Sequence, residues 1–315
     1  MSTNILVICP DPQAYVSRLA PDFPQVTFAS VASLECTPAL ERMGEADAII
    51  AYGRAFDAEC LARARKLRWF QCVITGTEHL TPVLAGSRVI LTNARGIHGP
   101  QMAEMAILHM LALSRQVPQL VRNQAAHVWD RIKPRVLDRR TIAILGVGAI
   151  AEHIARVCQA LGMTTLGISR TPRRLAGFDA IYPREKLREA AAQADFLLVL
   201  VPYTKDNDKI INAAVFDVMK PTAYLINIAR GGVVDEAALV QALRDRKIAG
   251  AGLDVFEQAP LPSSHPLWDM DNVFITPFIG GLSDRYEENI MSIIKPNLQS
   301  FLAGRDDAMI NRVML

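Results

Sequence analysis

The sequence predicts an α/β protein in which parallel sheets form about two domains. Short apolar runs alternate with amphipathic helical patterns along most of the 315 residues, and this alternation is typical of a parallel α/β layer. Half of the residues are hydrophobic, which is ample for large cores. A chain of this length is expected to form roughly two domains.

A glycine-rich turn follows the apolar run Thr141–Leu145, which is typical of a buried parallel strand. The turn reads G-x-G-x-x-A, with its small residues at Gly146, Gly148 and Ala151. Gly146 permits a tight turn, Gly148 lets the backbone approach a pyrophosphate, and Ala151 lets helix and strand pack closely. The pattern therefore predicts a dinucleotide-binding site.

The helix after this turn supplies the rest of the predicted site. Ala149 and Ile150 begin it, and a helix N-terminus presents free N–H groups and a positive dipole end to phosphates. Gly162 stands where a left-handed C-cap belongs, and a second strand, Thr164–Ile168, closes a βαβ unit. This strand–turn–helix context distinguishes a dinucleotide site from a chance glycine-rich turn.

The end of the second strand indicates which dinucleotide binds. An NAD site carries an acidic residue about 20 residues past the glycines, where it accepts a hydrogen bond from the ribose 2′-hydroxyl. This chain has no acid there, but Ser169, Arg170 and Thr171, followed by Arg173 and Arg174. Hydroxyl and guanidinium groups suit a 2′-phosphate. We therefore predict NADP(H) as the cofactor, with NAD(H) as the alternative.

Composition and charge argue against several classes of protein. The formal net charge is +2, and the basic run Arg131–Arg140 is interrupted by apolar residues, so no nucleic-acid partner is expected. The five cysteines are scattered without a C-x-x-C pair, which indicates neither a disulfide framework nor a metal site. No charged leader and no long apolar segment is found. We expect a reduced, cytoplasmic protein without a membrane partner.

Before the dinucleotide unit, the chain alternates strands and helices. Five strands are predicted, at Asn4–Ile8, Val26–Ala29, Ala48–Ala51, Leu67–Ile74 and Val89–Leu91. Helices are expected over residues 34–43, after the N-cap candidate Asp57, and over Gln101–Ser114 with Pro100 in the first turn. Residues 116–140 are polar and are expected to be irregular.

After the dinucleotide unit, four more strands alternate with helical patterns, and a final helix spans Asp284–Leu302. The strands are predicted at Phe196–Val201, Tyr224–Ile228, Ala251–Val255 and Val273–Thr276. Open α/β sheets bind ligands beyond the carboxyl ends of their strands. The candidate site residues at those ends are Pro202, Ala229, Arg230, Asp254 and the segment 277–281.

Motifs spread over nearly the whole chain suggest a family. They are G-V-G-A-I-A at 146–151, I-N-I-A-R-G-G-V-V-D-E-A-A-L at 226–239, G-L-D-V-F at 252–256, P-L-W at 266–268 and T-P-F-I-G-G at 276–281. This set resembles the D-isomer-specific 2-hydroxyacid dehydrogenases, which include phosphoglycerate dehydrogenase and the glyoxylate/hydroxypyruvate reductases. The loop T-G-T-E-H-L at 75–80 is similar to a substrate loop of that family.

The resemblance implies two Rossmann- or flavodoxin-like domains. The NAD(P)-binding domain, 99–285, would be inserted into a substrate domain formed by 1–98 and 286–315, with the active site in the cleft. Homodimers through the cofactor domain are usual in the family. The implied activity is NAD(P)H-dependent oxidoreduction of a small 2-keto or 2-hydroxy acid, or of a related carboxylate.

The resemblance also implies roles for individual residues. Arg230 matches the family's catalytic arginine, and Asp254 matches the aspartate at the nicotinamide. The substrate carboxylate is expected on loops of the first domain, at Gly53, Arg54, Gly76 and Thr77. Pro202 and Ala229, at strand ends, are expected to line the cofactor.

The chain departs from the family at the catalytic pair. Phe278 stands where the family has its histidine, and Ala259 where it has its glutamate. A phenyl ring cannot donate a proton, and a positioned acid typically contributes about 10²–10⁴-fold. The departure leaves three alternatives: a reductase with an altered acid–base arrangement, a cofactor-binding sensor or interaction module without turnover, and a reductase of imine-like substrates.

Other histidines were considered as proton donors. His98 lies just before the long helix, where the family's equivalent position lines the substrate cleft, so it is our candidate for a second catalytic residue. His109, His127 and His153 lie in helical or linker stretches and are expected to be structural.

Overall fold

The computed structural model describes residues 2–33 and 41–315. The chain divides into two compact units. Unit 1 comprises Met1–Ile97 and Ser283–Leu315, and unit 2 is the continuous segment His98–Leu282. The helix predicted over residues 34–43 falls mostly on residues 34–40, which lie outside the described residues.

Unit 1 is built on a six-stranded sheet. Its strands are Thr3–Ile8 (β1), Val26–Val31 (β2), Ala48–Ala51 (β3), Trp69–Cys72 (β4), Ile90–Thr92 (β5) and the last strand of the chain, Arg312–Val313 (β13). The order is β2-β1-β3-β4-β5-β13, and the first five strands are parallel. The 2-1-3-4-5 order is that of flavodoxin-like sheets. The antiparallel β13 was not predicted, because a two-residue edge strand has too little pattern.

The helices of unit 1 cover both faces of this sheet. Four helices lie wholly within the described residues: Pro12–Leu19 (α1), Ala58–Arg63 (α2), Leu80–Leu84 (α3) and Tyr286–Leu302 (α10). The predicted N-cap Asp57 is confirmed, since its side chain accepts the Cys60 amide at 2.9 Å. Ile290, Ile294 and Leu298 of α10 are fully buried in the core against one face. The last helix therefore completes the fold begun by the first strands.

Unit 2 is built on a seven-stranded parallel sheet. Its strands are Thr141–Leu145 (β6), Thr164–Ser169 (β7), Ala180–Pro183 (β8), Phe196–Val199 (β9), Tyr224–Asn227 (β10), Gly250–Leu253 (β11) and Val273–Ile275 (β12). The order is β8-β7-β6-β9-β10-β11-β12. This is the Rossmann order, with the direction of winding reversed between β6 and β9. The two sheets confirm the predicted α/β fold class.

Two layers of helices cover the sheet of unit 2. The helices are Gly99–Ser114 (α4), Val117–Ala125 (α5), Ala149–Ala160 (α6), Leu187–Gln193 (α7), Ala213–Phe216 (α8) and Glu236–Arg244 (α9). Helices α4 and α6 pack on one face, and α7, α8 and α9 on the other. No described helix is long and apolar enough to cross a membrane.

One prediction about the elements was wrong. Residues 116–140 were expected to be irregular, but α5 occupies 117–125. Gln116 is left-handed, with φ of 55°, and separates α5 from α4, while Pro118 lies in the first turn. Helix α5 buries none of its residues, although Val117, Leu120 and Val121 recur at the spacing of one helix face. The expectation followed the polar composition of 116–140 as a whole and overlooked this short pattern.

Candidate active site

Gly146 makes a turn that no larger residue fits. It follows β6 with φ of +101°, and its amide donates to the Ile168 carbonyl at 2.9 Å. A Cβ here would lie 2.8 Å from Val201 Cγ1 and 2.9 Å from the Leu200 carbonyl carbon. Because the winding reverses between β6 and β9, the turn lies at the switch point where such sheets bind ligands.

Gly148, two residues later, faces open space. A Cβ on it would meet no described atom within 4 Å. Gly148 is the N-cap of α6, and no side chain caps that end of the helix in the described chain. The exposed Ala149 and half-buried Ile150 follow, so the N-terminal amides face outward from an uncapped helix. The open side of Gly148 and the uncapped helix fit the pyrophosphate of a dinucleotide.

The carboxyl end of β7 carries the predicted hydroxyl and guanidinium groups. Ser169 Oγ accepts the Thr171 amide at 3.3 Å, and Arg173 is exposed in the same loop. Arg170 lies 3.8 Å from the Asp206 carboxylate, and the two side chains are 72% and 74% exposed. An ion pair this exposed contributes little to stability, so the Arg170 guanidinium remains available to bind another anion.

Two further predicted cofactor residues lie at strand ends. Pro202 is exposed just after β9, and its carbonyl accepts Asn207 Nδ2 at 2.8 Å. Ala229 is buried after β10, and its amide donates to Asn227 Oδ1 at 3.2 Å. Both residues therefore lie at the carboxyl edge of the sheet, as Gly146 does.

Arg230 is held at the end of β10 by its own turn. Asn227 Nδ2 donates to the Arg230 carbonyl at 3.0 Å, and Arg230 Nη1 donates to the Ala229 carbonyl at 2.8 Å. A Cβ on the next residue, Gly231, would lie 1.9 Å from the Phe256 carbonyl carbon. The loops after β10 and β11 therefore touch through their backbones, and only glycine allows this contact.

Asp254, just after β11, organises the loop 276–281. It is 2% exposed. Its carbonyl accepts the Phe278 amide at 3.0 Å, its Oδ1 the Ile279 amide at 3.0 Å and its Oδ2 the Gly280 amide at 2.9 Å. Three consecutive amides thus converge on one residue. The structure shows Asp254 holding this loop; a contact with nicotinamide stays a prediction.

A buried histidine extends this network. His109 on α4 is fully buried, and its Nε2 lies 3.0 Å from Thr276 Oγ1. The Thr276 hydroxyl in turn lies 2.5 Å from Asp254 Oδ1. Burial lowers the pKa of His109 to about 4, so the ring is neutral at pH 7. The sequence predicts only a structural role for His109, because no local pattern connects it to Thr276.

The neighbours of His109 fix its ring. The ring of Phe274 contacts it edge-on, with centroids 5.2 Å apart. A Cβ on Gly252 would lie 2.5 Å from His109 Nδ1, so the glycine of β11 makes room for the imidazole. His109 Nδ1 has no hydrogen-bond partner among the described residues.

Phe278 adopts a conformation that is unusual for a bulky residue. Its φ is +59°, in the left-handed region, which costs a residue with a side chain about 1–2 kcal/mol. The residue is nevertheless 48% exposed, and Ile279 in the same loop and Leu282 just after it are exposed as well. The strain is maintained by the bonds from Asp254, and strained residues of this kind cluster at functional sites.

His98 lies beside the end of the same loop. It is 8% exposed and precedes α4, where its carbonyl accepts the Met102 amide at 3.2 Å. A Cβ on Gly281 would lie 3.6 Å from His98 Cδ2. The structure therefore brings His98 and the loop that carries Phe278 together.

In unit 1, the predicted substrate loops follow β3 and β4. Gly53 has φ of +76°, and a Cβ on it would lie 2.6 Å from Leu80 Cδ1. Cys72 Sγ lies 3.5 Å from the Tyr52 carbonyl and 3.9 Å from the Gly76 carbonyl, so it connects the two loops. The Gly53 loop follows β3, which borders the switch point of this sheet between β1 and β3.

The other two predicted substrate residues differ in exposure. Arg54 is exposed, whereas Thr77 is buried and its carbonyl accepts the amides of Leu80 and Thr81, both at 3.0 Å. His79, between these loops, has a buried Nε2 without a hydrogen-bond partner among the described residues, and burial lowers its pKa. No group of three or more potential ligands in the described chain is placed to hold a metal ion.

Comparison with known proteins identifies the family. The model for "D-isomer specific 2-hydroxyacid dehydrogenase, NAD binding domain" matches residues 107–280. A glyoxylate reductase from Thermococcus onnurineus is 31% identical, covering 100% of this chain and 98% of its own length. Both matches agree with the resemblance seen in the sequence.

Solved structures extend the likeness to three dimensions. A D-isomer specific 2-hydroxyacid dehydrogenase family protein from Aeromonas salmonicida has a TM-score of 0.90 and 33% identity, covering 100% of this chain and 99% of its own. An NADPH-dependent glyoxylate/hydroxypyruvate reductase from Sinorhizobium meliloti, in complex with NADP and sulfate, has a TM-score of 0.84 and 25% identity over 99% and 98%. The chain therefore belongs to the D-isomer-specific 2-hydroxyacid dehydrogenases, NAD(P)-dependent oxidoreductases that act on the CH–OH group of 2-hydroxy acids.

Proposed function

We propose that this protein is an NADPH-dependent reductase of a small 2-keto acid or related carboxylate, with an altered acid–base arrangement. The observation that carries the proposal is the carboxyl edge of the unit 2 sheet. An open glycine turn, a guanidinium cluster without the usual acid, and Arg230 all lie at that edge. When bound, the nicotinamide supplies a hydride; the chain's own residues must bind, orient and protonate the substrate.

The choice of cofactor depends on Arg170. Its exposed side chain and the hydroxyls of Ser169 and Thr171 suit a 2′-phosphate, and no acid at the end of β7 accepts a ribose 2′-hydroxyl. NADPH should bind at least tenfold more tightly than NADH, and Arg170→Ala should reduce this difference in affinity. Fluorescence titration of both dinucleotides measures this. Equal affinities in the unmodified protein would contradict the assignment.

Arg230 binds the substrate. A half-buried guanidinium at a strand end can hold a carboxylate in a bidentate way or polarise a carbonyl. Arg230→Ala should therefore leave NADPH affinity within about threefold and abolish binding or turnover of carboxylate ligands. Calorimetry with oxalate, a non-reducible dicarboxylate, separates the two effects. Unchanged oxalate binding by the variant would remove this role from Arg230.

The apolar residues at the catalytic positions shape the choice of substrate. Phe278 and the exposed Ala259 present apolar groups where the family has an acid–base pair. Such a surface disfavours a small, strongly hydrated keto acid and favours one with a bulkier apolar side chain. Glyoxylate and hydroxypyruvate should be reduced at least about a hundredfold more slowly than by relatives that keep the pair, in line with the loss of one acid.

Restoring the pair tests this account. Phe278→His and Ala259→Glu together should recover part of the glyoxylate activity, whereas either change alone should not, because the imidazolium and the carboxylate act as a unit. A panel of 2-keto acids and imines, followed by NADPH oxidation, measures turnover. Turnover of imines alone would favour the imine-reductase alternative, and no turnover at all would favour a cofactor-binding sensor.

His98 is the proposed proton donor. It lies beside the loop that carries Phe278, and His98→Ala should remove whatever turnover persists without changing NADPH affinity. A matched control is His127→Asn, which changes an exposed histidine of the same unit. Rapid glyoxylate reduction that survives His98→Ala would transfer the role to a bound water or another residue.

The loops of unit 1 at Gly53 and Gly76 bind a carboxylate through backbone N–H groups, and the exposed guanidinium of Arg54 adds to that binding. The support is local: Gly53 is left-handed, and its loop lies at the switch point of that sheet. Gly53→Ala would force a contact with Leu80, so Arg54→Ala is the cleaner test. That variant should weaken carboxylate binding at least threefold and leave NADPH affinity unchanged.

The protein forms a homodimer through unit 2. Helix α5 buries none of its residues and exposes Leu120 and Val121, and the following segment exposes Trp129, which is 95% exposed. An exposed apolar surface of this kind is typical of an interaction site. Light scattering should give twice the mass of the chain, and Val121→Ser with Trp129→Ser should give the monomer.

A further inference from the structure

The hydrogen-bond chain from His109 to Asp254 has one possible direction. Asp254 is the end of the chain, because both of its side-chain oxygens act as acceptors: Oδ1 accepts the Ile279 amide and Oδ2 the Gly280 amide. The Thr276 hydroxyl has a single hydrogen, and its 2.5 Å distance to Asp254 Oδ1 places that hydrogen on the carboxylate side. His109 Nε2, 3.0 Å from the same hydroxyl, must therefore donate to it.

The surroundings of Nδ1, the other nitrogen of the His109 ring, agree with this direction. A neutral imidazole carries one N–H, so a proton on Nε2 leaves Nδ1 without one. His109 Nδ1 is buried, has no hydrogen-bond partner in the described chain and faces the α-carbon of Gly252. A lone pair there is tolerated far better than a buried N–H without an acceptor, because a buried unsatisfied donor loses its hydration entirely.

Asp254 connects this chain of hydrogen bonds to the loop 276–281. It fixes the amides of Phe278, Ile279 and Gly280, the first through its carbonyl and the other two through its carboxylate. If the Thr276 hydroxyl were lost, the carboxylate would lose one of the three hydrogen bonds that set its rotation, and His109 Nε2–H would lose its acceptor. The left-handed conformation of Phe278 would then lose part of its support.

We propose that His109 and Thr276 are positioning residues that, through Asp254, hold the loop 276–281 in the geometry required for reduction of the substrate. Both side chains are buried, and they act on the loop through Asp254. The inference rests on the proposed function only for its kinetic consequence, because the effect on the loop itself is measurable without turnover. It makes the orientation of Phe278 depend on a residue of α4.

Thr276→Val and Thr276→Ser test the hydroxyl. Valine keeps the shape and removes the hydrogen bonds, whereas serine restores them. Thr276→Val should lower kcat at least tenfold while the Kd for NADPH stays within threefold, and Thr276→Ser should return kcat to within threefold of the unmodified protein. His109→Leu should lower kcat in the same direction as Thr276→Val.

Thr165→Val is the matched control. Thr165 is also a buried threonine of unit 2, and its hydroxyl lies 2.7 Å from the Gly177 carbonyl and 3.0 Å from Asp179 Oδ2, so it has an acceptor for its one hydrogen. It lies on β7, far along the chain from the loop. Thr165→Val should lower the free energy of unfolding by about as much as Thr276→Val does, and it should keep the kcat of the unmodified protein. The comparison separates a positioning role from a general loss of stability.

Hydrogen exchange measures the loop directly. In Thr276→Val, the amides of Ile279 and Gly280 should exchange at least tenfold faster than in the unmodified protein, and in Thr276→Ser and Thr165→Val within threefold of it. Equal exchange in Thr276→Val and the unmodified protein would overturn the proposal. If the exchange rates follow this pattern but the protein turns over no substrate, the proposed function is refuted. The positioning role of His109 and Thr276 would still hold.

The tautomer is tested by nuclear magnetic resonance. A ¹⁵N–¹H spectrum of the histidine rings, assigned with His109→Leu, should show the proton of His109 on Nε2 at pH 7. A proton on Nδ1 would overturn the direction of the chain and with it the proposal.

Discussion

Two loops at the carboxyl edge of the unit 2 sheet orient their backbone amides differently. The loop 146–149 makes its turn with glycine and opens onto space in which a Cβ at Gly148 would touch nothing described. The loop 276–281 turns three successive amides inward onto Asp254. The first loop can therefore bind an anionic ligand with its backbone, whereas the amides of the second already bond to Asp254.

The two loops also reach positive φ by different means. Gly146, at +101°, adopts this conformation without steric cost, whereas Phe278, at +59°, adopts it against the preference of its side chain. The difference indicates that the first loop is set by local sequence and the second by tertiary hydrogen bonds. Substitutions in the two loops should therefore differ in their effects on stability and binding.

Gly146→Ala should have the largest effect. The new Cβ would be strained by the positive φ and would press on Val201 and the backbone of Leu200. We expect the free energy of unfolding of unit 2 to fall by about 3 kcal/mol or more. Urea denaturation followed by circular dichroism measures this. A variant as stable as the unmodified protein would show that the turn is not set by glycine.

The acid sensitivity of the second loop should depend on His109. Unfolded histidine titrates near its ordinary pKa of 6.5, whereas the buried ring stays neutral down to about pH 4. The unfolded state thus binds more protons in this window, so stability falls as the pH falls below 6.5, by about 2 kcal/mol at pH 5. His109→Gln should remove this part of the slope in denaturation measured from pH 7 to pH 5.

A control is needed because carboxylates also titrate in that range. His127→Asn changes an exposed histidine whose left-handed φ of 55° suits asparagine. Its slope with pH should match that of the unmodified protein. If His109→Gln and His127→Asn behave alike, the slope does not come from the buried ring.

Gly148→Ala should separate binding from folding. Its φ of −154° is open to any residue and its Cβ meets nothing, so the stiffer unfolded chain should offset the poorer N-cap of alanine and keep stability within about 1 kcal/mol. The methyl group would occupy the space of the pyrophosphate and weaken NADPH binding at least tenfold, about 1.4 kcal/mol. Fluorescence titration checks this, and unaltered affinity would place the phosphates elsewhere.

The smallest effect concerns the strain at Phe278. Phe278→Gly and Phe278→Ala remove the same ring, but only glycine tolerates the left-handed conformation freely. The glycine variant should be more stable than the alanine variant by about 1 kcal/mol. Paired thermal denaturation measures the difference. An alanine variant of equal stability would mean that the loop relaxes out of this conformation once the ring is gone.

The same contrast explains how much could be predicted. The turn at Gly146 and the polar end of β7 at Ser169 were found because their signal lies within a few neighbouring residues. The left-handed conformation of Phe278 was not predicted, because phenylalanine has no preference for it. The pairing of His109 with Thr276 was not predicted either, because two single residues on different elements leave no local pattern. Helix α5 was missed because its segment is polar overall, which obscured the short apolar face formed by Val117, Leu120 and Val121.

The contact between His109 and Thr276 joins positions 167 residues apart, which has a consequence for synthesis of the chain. The loop that carries Phe278 cannot adopt its final geometry until the last strand of unit 2 has left the ribosome and docked beside β11. Contacts of such high sequence separation form late, since the loop-closure entropy must be overcome first. A chain arrested before Thr276 would already contain the complete Gly146 turn, and it should bind the dinucleotide before it can reduce anything.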